Sequence, residues 1–171
     1  MRILRFIIVS VIVVFIIVTV ISLFIPSHVS ISRSIQINSS KDSVMTQLGE
    51  VQNWKNWYPG ADSLKFYQED NMIKGLVLDE PRKRYLVIAR TKSDEVTAEY
   101  RLSNKKILTG WRVAENAESN SQTVQWYMDF HLRWYPWEKF SSVMFERVYH
   151  PQLQQGLDKL KRFLENGHGG I

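Results

Sequence analysis

The chain has 171 residues, no cysteine, 21 aromatic residues (six Trp, seven Tyr, eight Phe) and a net charge of +5, enough for one domain with an appendage and too little for two ordinary domains. The missing cysteine excludes disulfides, thiolate metal sites, a cysteine nucleophile and a lipoprotein cysteine. Setting aside Arg2 and Arg5 leaves a charge of +3, spread along the chain, which excludes the clustered basic face of a nucleic-acid binder.

From Phe6 to Ile25 the chain reads FIIVSVIVVFIIVTVISLFI, with Ser10, Thr19 and Ser22 as its only polar residues. Twenty residues at 1.5 Å rise reach about 30 Å, the hydrocarbon thickness of a bilayer. A soluble helix needs a polar face, and this run has none. The rival reading is a cleaved signal peptide, whose apolar region is shorter, about 7–15 residues, and ends in a small-x-small site. Leu23-Phe24-Ile25-Pro26 is a poor cleavage context, so residues 1–26 are expected to be a retained transmembrane anchor. Arg2, Arg5 and the amino terminus precede the span, so the positive-inside rule places the N-terminus in the cytoplasm and the rest outside.

Pro26 ends the span, and a short linker leads into a strand. Val29, Ile31, Ile35 and Ile37 alternate with Ser30, Ser32, Ser34 and Gln36, with Arg33 interrupting the apolar face once. Ser39 or Ser40 is a suitable N-cap and Asp42 suits the first turn of a helix. Val44, Leu48 and Val51 then recur on one side, and Gly49 is expected to split the stretch into two short helices. Trp54, Trp57, Tyr58, Pro59 and Gly60 close this region with a turn.

Six strands follow, near Leu64–Gln68, Met72–Leu78, Tyr85–Thr91, Val96–Leu102, Lys106–Ala114 and Thr123–Leu132, each bounded by turn residues. Their separators include Ser103-Asn104 and the stretch Asn116–Ser121. Such short, evenly spaced strands make an antiparallel meander. Leu153, Leu157, Leu160 and Leu164 form the stripe of a closing helix, and Gly167 is its stop signal. Residues 27–166 are thus expected to be one α+β domain, a sheet of about seven strands with one long C-terminal helix on its concave face, and residues 167–171 a disordered tail.

This order resembles the START-like superfamily, also called SRPBCC, in its polyketide cyclase/dehydrase branch. The likeness rests on the strand Ser34-Ile35-Gln36-Ile37, the W-x-x-W-x-P element Trp54-Lys55-Asn56-Trp57-Tyr58-Pro59, and the closing helix Leu157-Asp158-Lys159-Leu160-Lys161-Arg162-Phe163-Leu164-Glu165. The resemblance covers about Val29 to Glu165. It implies a helix-grip fold whose apolar cavity binds lipids, sterols, polyketides, hormones or quinone-like molecules, with no universal catalytic set. For this chain it implies a hydrophobic small molecule or lipid as ligand, and a bacterial inner membrane as location. The anchor and the Trp134-Tyr135-Pro136-Trp137 insertion depart from a bare family member.

Trp57 and Tyr58 sit before a strand, where they either gate a cavity mouth or pack against the sheet; Trp54 reads as packing. Val124, Trp126, Met128, Phe130 and Leu132 share the apolar face of the last strand, opposite Gln125, Tyr127, Asp129 and His131. Tyr100 and Leu102 on one neighbour and Trp111 on another join that face. The expected ligand contacts are therefore Trp57, Tyr58, Tyr100, Trp111, Trp126, Met128 and Phe130, against the plainer reading that the same stripe is core.

His28, His131, His150 and His168 lack metal-ligand spacing, and no phosphate loop, nucleophile elbow or dinucleotide fingerprint is present, so no catalytic, metal or cofactor site is expected. Trp134, Tyr135, Trp137 and Phe140 suit a membrane–water interface, with Arg133 and Lys139 beside them for anionic head groups, or form a lid over the cavity. Three functions remain open: a membrane-tethered binding module for an apolar ligand, an envelope interaction module with a filled core, and an enzyme acting on a hydrophobic carbonyl compound.

Overall fold

The computed structural model describes residues 2–102, 105–116 and 121–167; the expected turn at Ser103-Asn104, most of the one after Asn116, and the tail from His168 lie outside them. The chain runs through α1 (Arg2–Leu23), β1 (His28–Ile37), α2 (Lys41–Gly49), a 3-10 turn at Val51–Asn53, α3 (Trp54–Trp57), a 3-10 turn at Ala61–Ser63 and β2 (Lys65–Glu69). Then come β3 (Met72–Asp79), β4 (Arg84–Thr91), β5 (Glu95–Leu102), β6 (Lys105–Asn116), β7 (Ser121–His131), α4 (Pro136–Ser142) and α5 (Phe145–Asn166).

The seven strands form one antiparallel sheet in the order β1-β7-β6-β5-β4-β3-β2. A meander needs only tight turns to pair consecutive strands. The exception is β1, which closes the far edge by pairing with β7 from His28↔His131 to Ile37↔Gln122. α5 lies across the concave face, chiefly over β1, and α2 and α3 cover the rest of that face. This is the helix-grip architecture expected from the resemblance.

Local chemistry explains the helix ends. The Ser40 hydroxyl accepts from the Ser43 amide at 3.2 Å, and Asp42 lies in the first turn of α2. The break after Gly49 matches the expected interruption, and Val51 falls in the 3-10 turn that follows. α5 buries Leu153, Leu157, Leu160 and Leu164 as the stripe required, but it also runs through Pro151 back to Phe145.

Within the Trp134–Trp137 insertion Pro136 opens the helix α4 at its first position, where proline's fixed φ and missing N–H cost nothing. The link between α1 and the sheet is short, as expected. β1 starts at His28, and the Leu132 amide donates to the Ser27 carbonyl at 2.7 Å, so the sheet begins two residues after Pro26.

Candidate functional site

Strand alternation puts Ile31 on β1, Tyr100 on β5, Thr109 and Trp111 on β6, and Val124, Trp126, Met128 and Phe130 on β7 toward the helices; in register, Trp111 faces Trp126 and Ile31 faces Met128. All seven sequence-expected contact residues therefore meet on the concave side. Trp57 and Tyr58 come to it from α3 and the turn that follows.

The half of the grip beneath α3 is packed with indoles. Trp54, Trp57, Trp111 and Trp126 each have 0 % exposure, with ring centroids 5.3 Å apart for Trp54–Trp111, 5.6 Å for Trp57–Trp111 and 5.4 Å for Trp111–Trp126. Rings at these distances in tilted and edge-on arrangements stabilise one another by about 0.5–1.5 kcal/mol per pair beyond their area. Polar edges are matched as well. Trp54 Nε1 donates to the Leu48 carbonyl at 2.8 Å, Trp57 Nε1 to the Gln47 carbonyl at 3.1 Å, and Trp126 Nε1 to Thr109 Oγ1 at 2.8 Å. Trp111 Nε1 alone of these four has no partner.

Gly156 lets α5 settle directly on this block. A Cβ built there would lie 2.4 Å from Trp126 Cζ3 and 3.1 Å from Pro59 Cδ, so only glycine permits the helix backbone to touch the indole. Trp57, Trp111 and Trp126 are thus interior packing in this state, and Trp57 does not stand at a mouth.

The other half differs. Tyr58 bridges the two, its ring 5.5 Å from Trp126 and its hydroxyl hydrogen-bonded to that of Tyr100. Burial pushes the Tyr58 hydroxyl well above its ordinary pKa, and the neighbouring Tyr100 adds to this. For Tyr100, burial raises the value to about 12 against the lowering effect of the Tyr58 hydrogen bond. Both phenols stay neutral in the physiological range, as a polar pair in an apolar setting. Beyond them Tyr100, Leu102, Leu78, Phe145 and Tyr149 are only partly buried while packing against the core. Phe130 lies at their base, its ring 4.6 Å from Phe145 and 5.1 Å from Tyr149. This apolar, partly exposed cluster sits where β3 and β5 end and α5 begins.

That end of the sheet also meets the C-terminal end of α1. Lys139 on α4 is 4 % exposed and its Nζ donates to the Ile25 carbonyl at 2.6 Å, just past the C-terminal end of α1, where a cation meets the helix dipole favourably. Ser22 of α1 is fully buried. Lys139 therefore turns inward to the end of α1 rather than outward to head groups as the sequence suggested. Trp134 and Trp137 remain 63 % exposed, so they form no lid.

Sequence reasoning missed the slot on the convex face. Tyr127 lies across Gly110, where a Cβ would come 2.5 Å from its hydroxyl oxygen, and donates to Glu95 Oε1 at 3.0 Å, which Arg112 also approaches at 3.0 Å. Burial pushes the Glu95 carboxyl up, but hydrogen bonds from Tyr127, Arg112 and Lys92 more than reverse this and leave it below its ordinary value. The isolated glycines Gly110 and Gly156 were the available signal for both close approaches. Among the described residues no three or more His, Asp or Glu are grouped to hold a metal ion; Asp129 and His131 face outward, with His28 Nε2 3.7 Å from Asp129.

Comparison with known proteins agrees with this geometry. The sequence model of the family described as polyketide cyclase / dehydrase and lipid transport matches residues 28–165. No curated protein matches the chain by sequence. Among solved structures, the protein XoxI from Bacillus cereus superposes with a TM-score of 0.56 at 18% identity, over 81% of this chain and 97% of its own. The di-domain ARO/CYC StfQ from the steffimycin biosynthetic pathway gives 0.61 at 14% identity, over 84% of this chain and 52% of that one. Truncated norcoclaurine synthase from Thalictrum flavum gives 0.57 at 11% identity, over 79% and 92%. At such identities the likeness is one of fold.

Proposed function

The chain belongs to the polyketide cyclase / dehydrase and lipid transport family within the SRPBCC superfamily, and from that premise we propose that it is a membrane-tethered binding module for a hydrophobic small molecule or lipid. The observation that carries the proposal is the uneven filling of the grip. One half is closed by four fully buried tryptophans, while the other is rimmed by the partly buried Tyr100, Leu102, Phe145 and Tyr149 around a neutral tyrosine pair. An apolar pocket with a few convergent polar groups is the usual form of a small-molecule site. The ligand's apolar body would contact Phe130, Met128 and this rim, and its polar end would meet Tyr58 and Tyr100. In this closed state Trp57, Trp111 and Trp126 form the floor, and the unpartnered Trp111 N–H is the one donor there left for a deeper polar group.

The tether is α1, the one described helix long and apolar enough to cross a membrane. Its end is built into the domain through buried Ser22 and the Lys139–Ile25 hydrogen bond, which favours a retained anchor over a cleaved leader. With Arg2 and Arg5 inside, the domain stands outside the cytoplasmic membrane. The filled indole half favours a second reading, an envelope interaction module that binds no small ligand. A photoactivatable fatty acyl probe, irradiated with the full chain in nanodiscs, separates the two. Adducts on peptides carrying Tyr100, Leu102 or Tyr149 support the binding module, and adducts confined to α1 favour the interaction module.

A further inference from the structure

The exposed apolar residues of the domain are concentrated at the anchor junction. α4 turns Pro136, Lys139 and Ser142 inward and leaves Trp137 and Phe140 exposed, with Trp134 before it and Val143 and Met144 after it. Trp137 stacks on Tyr135 at 4.8 Å and 7°, a flat aromatic pair with polar edges. This face is continuous with the lipid-exposed end of α1, where Leu23 and Phe24 are 64 % and 86 % exposed.

Unpaired charge at the same end is mostly positive, with the exposed Glu146 beside Arg147 as its unpaired acid among the described residues. The β3–β4 turn carries Arg82, Lys83 and Arg84, all exposed, and Arg133 and Arg147 flank α4. Arg82 is paired with Asp79, and Lys105 with Glu138. Lys83, Arg84, Arg133 and Arg147 make no ion pair among the described residues. An aromatic face beside unpaired cations matches the head-group zone of an anionic leaflet in both polarity and charge.

We infer that α4 is an interfacial helix which, locked to the anchor by Lys139, lays Trp134, Trp137 and Phe140 into an anionic phospholipid leaflet and holds the open end of the grip toward the bilayer. The inference rests on the tethered reading above and deepens it: ligand would pass between leaflet and grip without crossing bulk water.

The chain's own tryptophans test this. Trp54, Trp57, Trp111 and Trp126 are fully buried, so Trp134 and Trp137 are the ones open to outside quenchers. The full chain is placed in phosphatidylglycerol nanodiscs with brominated acyl chains, in matched unbrominated discs, and in brominated phosphatidylcholine discs. The expected result is a loss of emission in brominated phosphatidylglycerol, abolished in W134F/W137F, smaller in phosphatidylcholine, with little quenching by aqueous acrylamide. Ready quenching by acrylamide overturns the inference, because the face is then in water. Protection from both quenchers with cross-linking between copies overturns it in favour of a second copy as the occupant. Equal quenching in phosphatidylcholine overturns the anionic assignment. A chain that never enters the discs contradicts the tether itself, whereas an inserted chain with acrylamide-exposed tryptophans contradicts the α4 inference alone.

Discussion

Gly156→Ala isolates the contact that closes the grip. The new methyl would sit 2.4 Å from Trp126 Cζ3 and 3.1 Å from Pro59 Cδ, whereas carbon atoms in good contact lie about 3.5–4.0 Å apart. The indole has to retreat by about 1 Å, yet it is boxed by Trp57, Tyr58 and Trp111 with centroids at 6.0, 5.5 and 5.4 Å and tied to Thr109 at 2.8 Å. Overpacking of this kind costs about 1–3 kcal/mol. The boxed indole puts the cost in the upper part of that range, about 2–3 kcal/mol, and alanine recovers about 1 kcal/mol of helix propensity over glycine, so a net loss of about 1–2 kcal/mol is expected. For a chain of this size that lowers Tm by about 3–6 °C, measured by thermal unfolding of the full chain in nanodiscs. Phenylalanine lacks the outer indole ring, so in a Trp126→Phe background the same substitution should be neutral or stabilising. The double-mutant cycle should then give a coupling of about 1–3 kcal/mol. An unchanged or raised Tm for Gly156→Ala alone would refute the closed grip at this point.

Trp111→Phe should cost less than Trp126→Phe by about 1 kcal/mol in chemical denaturation, because only Trp126 gives up a hydrogen bond, to Thr109. Tyr100→Phe leaves the Tyr58 hydroxyl without its partner; a loss of about 1–3 kcal/mol is expected in the same assay. The folded value of Glu95 lies below its unfolded value of 4.5, so its contribution is fully present above pH 4.5 and is lost as pH falls through the folded value. Glu95→Gln should flatten the acid limb of a Tm-against-pH curve. The tyrosine pair acts at the other extreme: Tyr100 is raised from 10 to about 12, so stability is intact below pH 10 and falls as pH rises toward 12, which tyrosinate absorbance follows. Lys139→Met removes the hydrogen bond to Ile25 and should speed amide exchange at Phe24 and Ile25.

Much of the fold was legible because it follows from periodicity. Val29 to Ile37 and Val124 to Phe130 alternate as strands with one buried face must, and Leu153 to Leu164 repeat as a covering helix must. Clustering of the five expected contacts that lie on strands, Tyr100, Trp111, Trp126, Met128 and Phe130, was legible for the same reason, since a residue's face is set by its parity along the strand. Whether they line a space or fill it was not. That depends on Gly156 admitting α5 onto Trp126, and on Trp54 and Trp57 arriving from a four-residue helix with no periodicity of its own. Likewise Tyr127 obeys parity and faces outward, yet is nearly buried because Gly110, on the neighbouring strand, leaves room for its ring. α4 was hidden for a nonlocal reason. Seven residues are too few for a helical stripe, and its buried lysine answers a carbonyl 114 positions earlier in the chain.

The central claim, that a tethered grip carries a hydrophobic ligand in its half-open end, is tested most directly by native mass spectrometry of the full chain released from nanodiscs. The account predicts one retained lipid or isoprenoid per chain, reduced in a Leu102→Trp variant that blocks the rim but remains folded. A bare chain mass, unchanged after incubation with a membrane lipid extract, would contradict it.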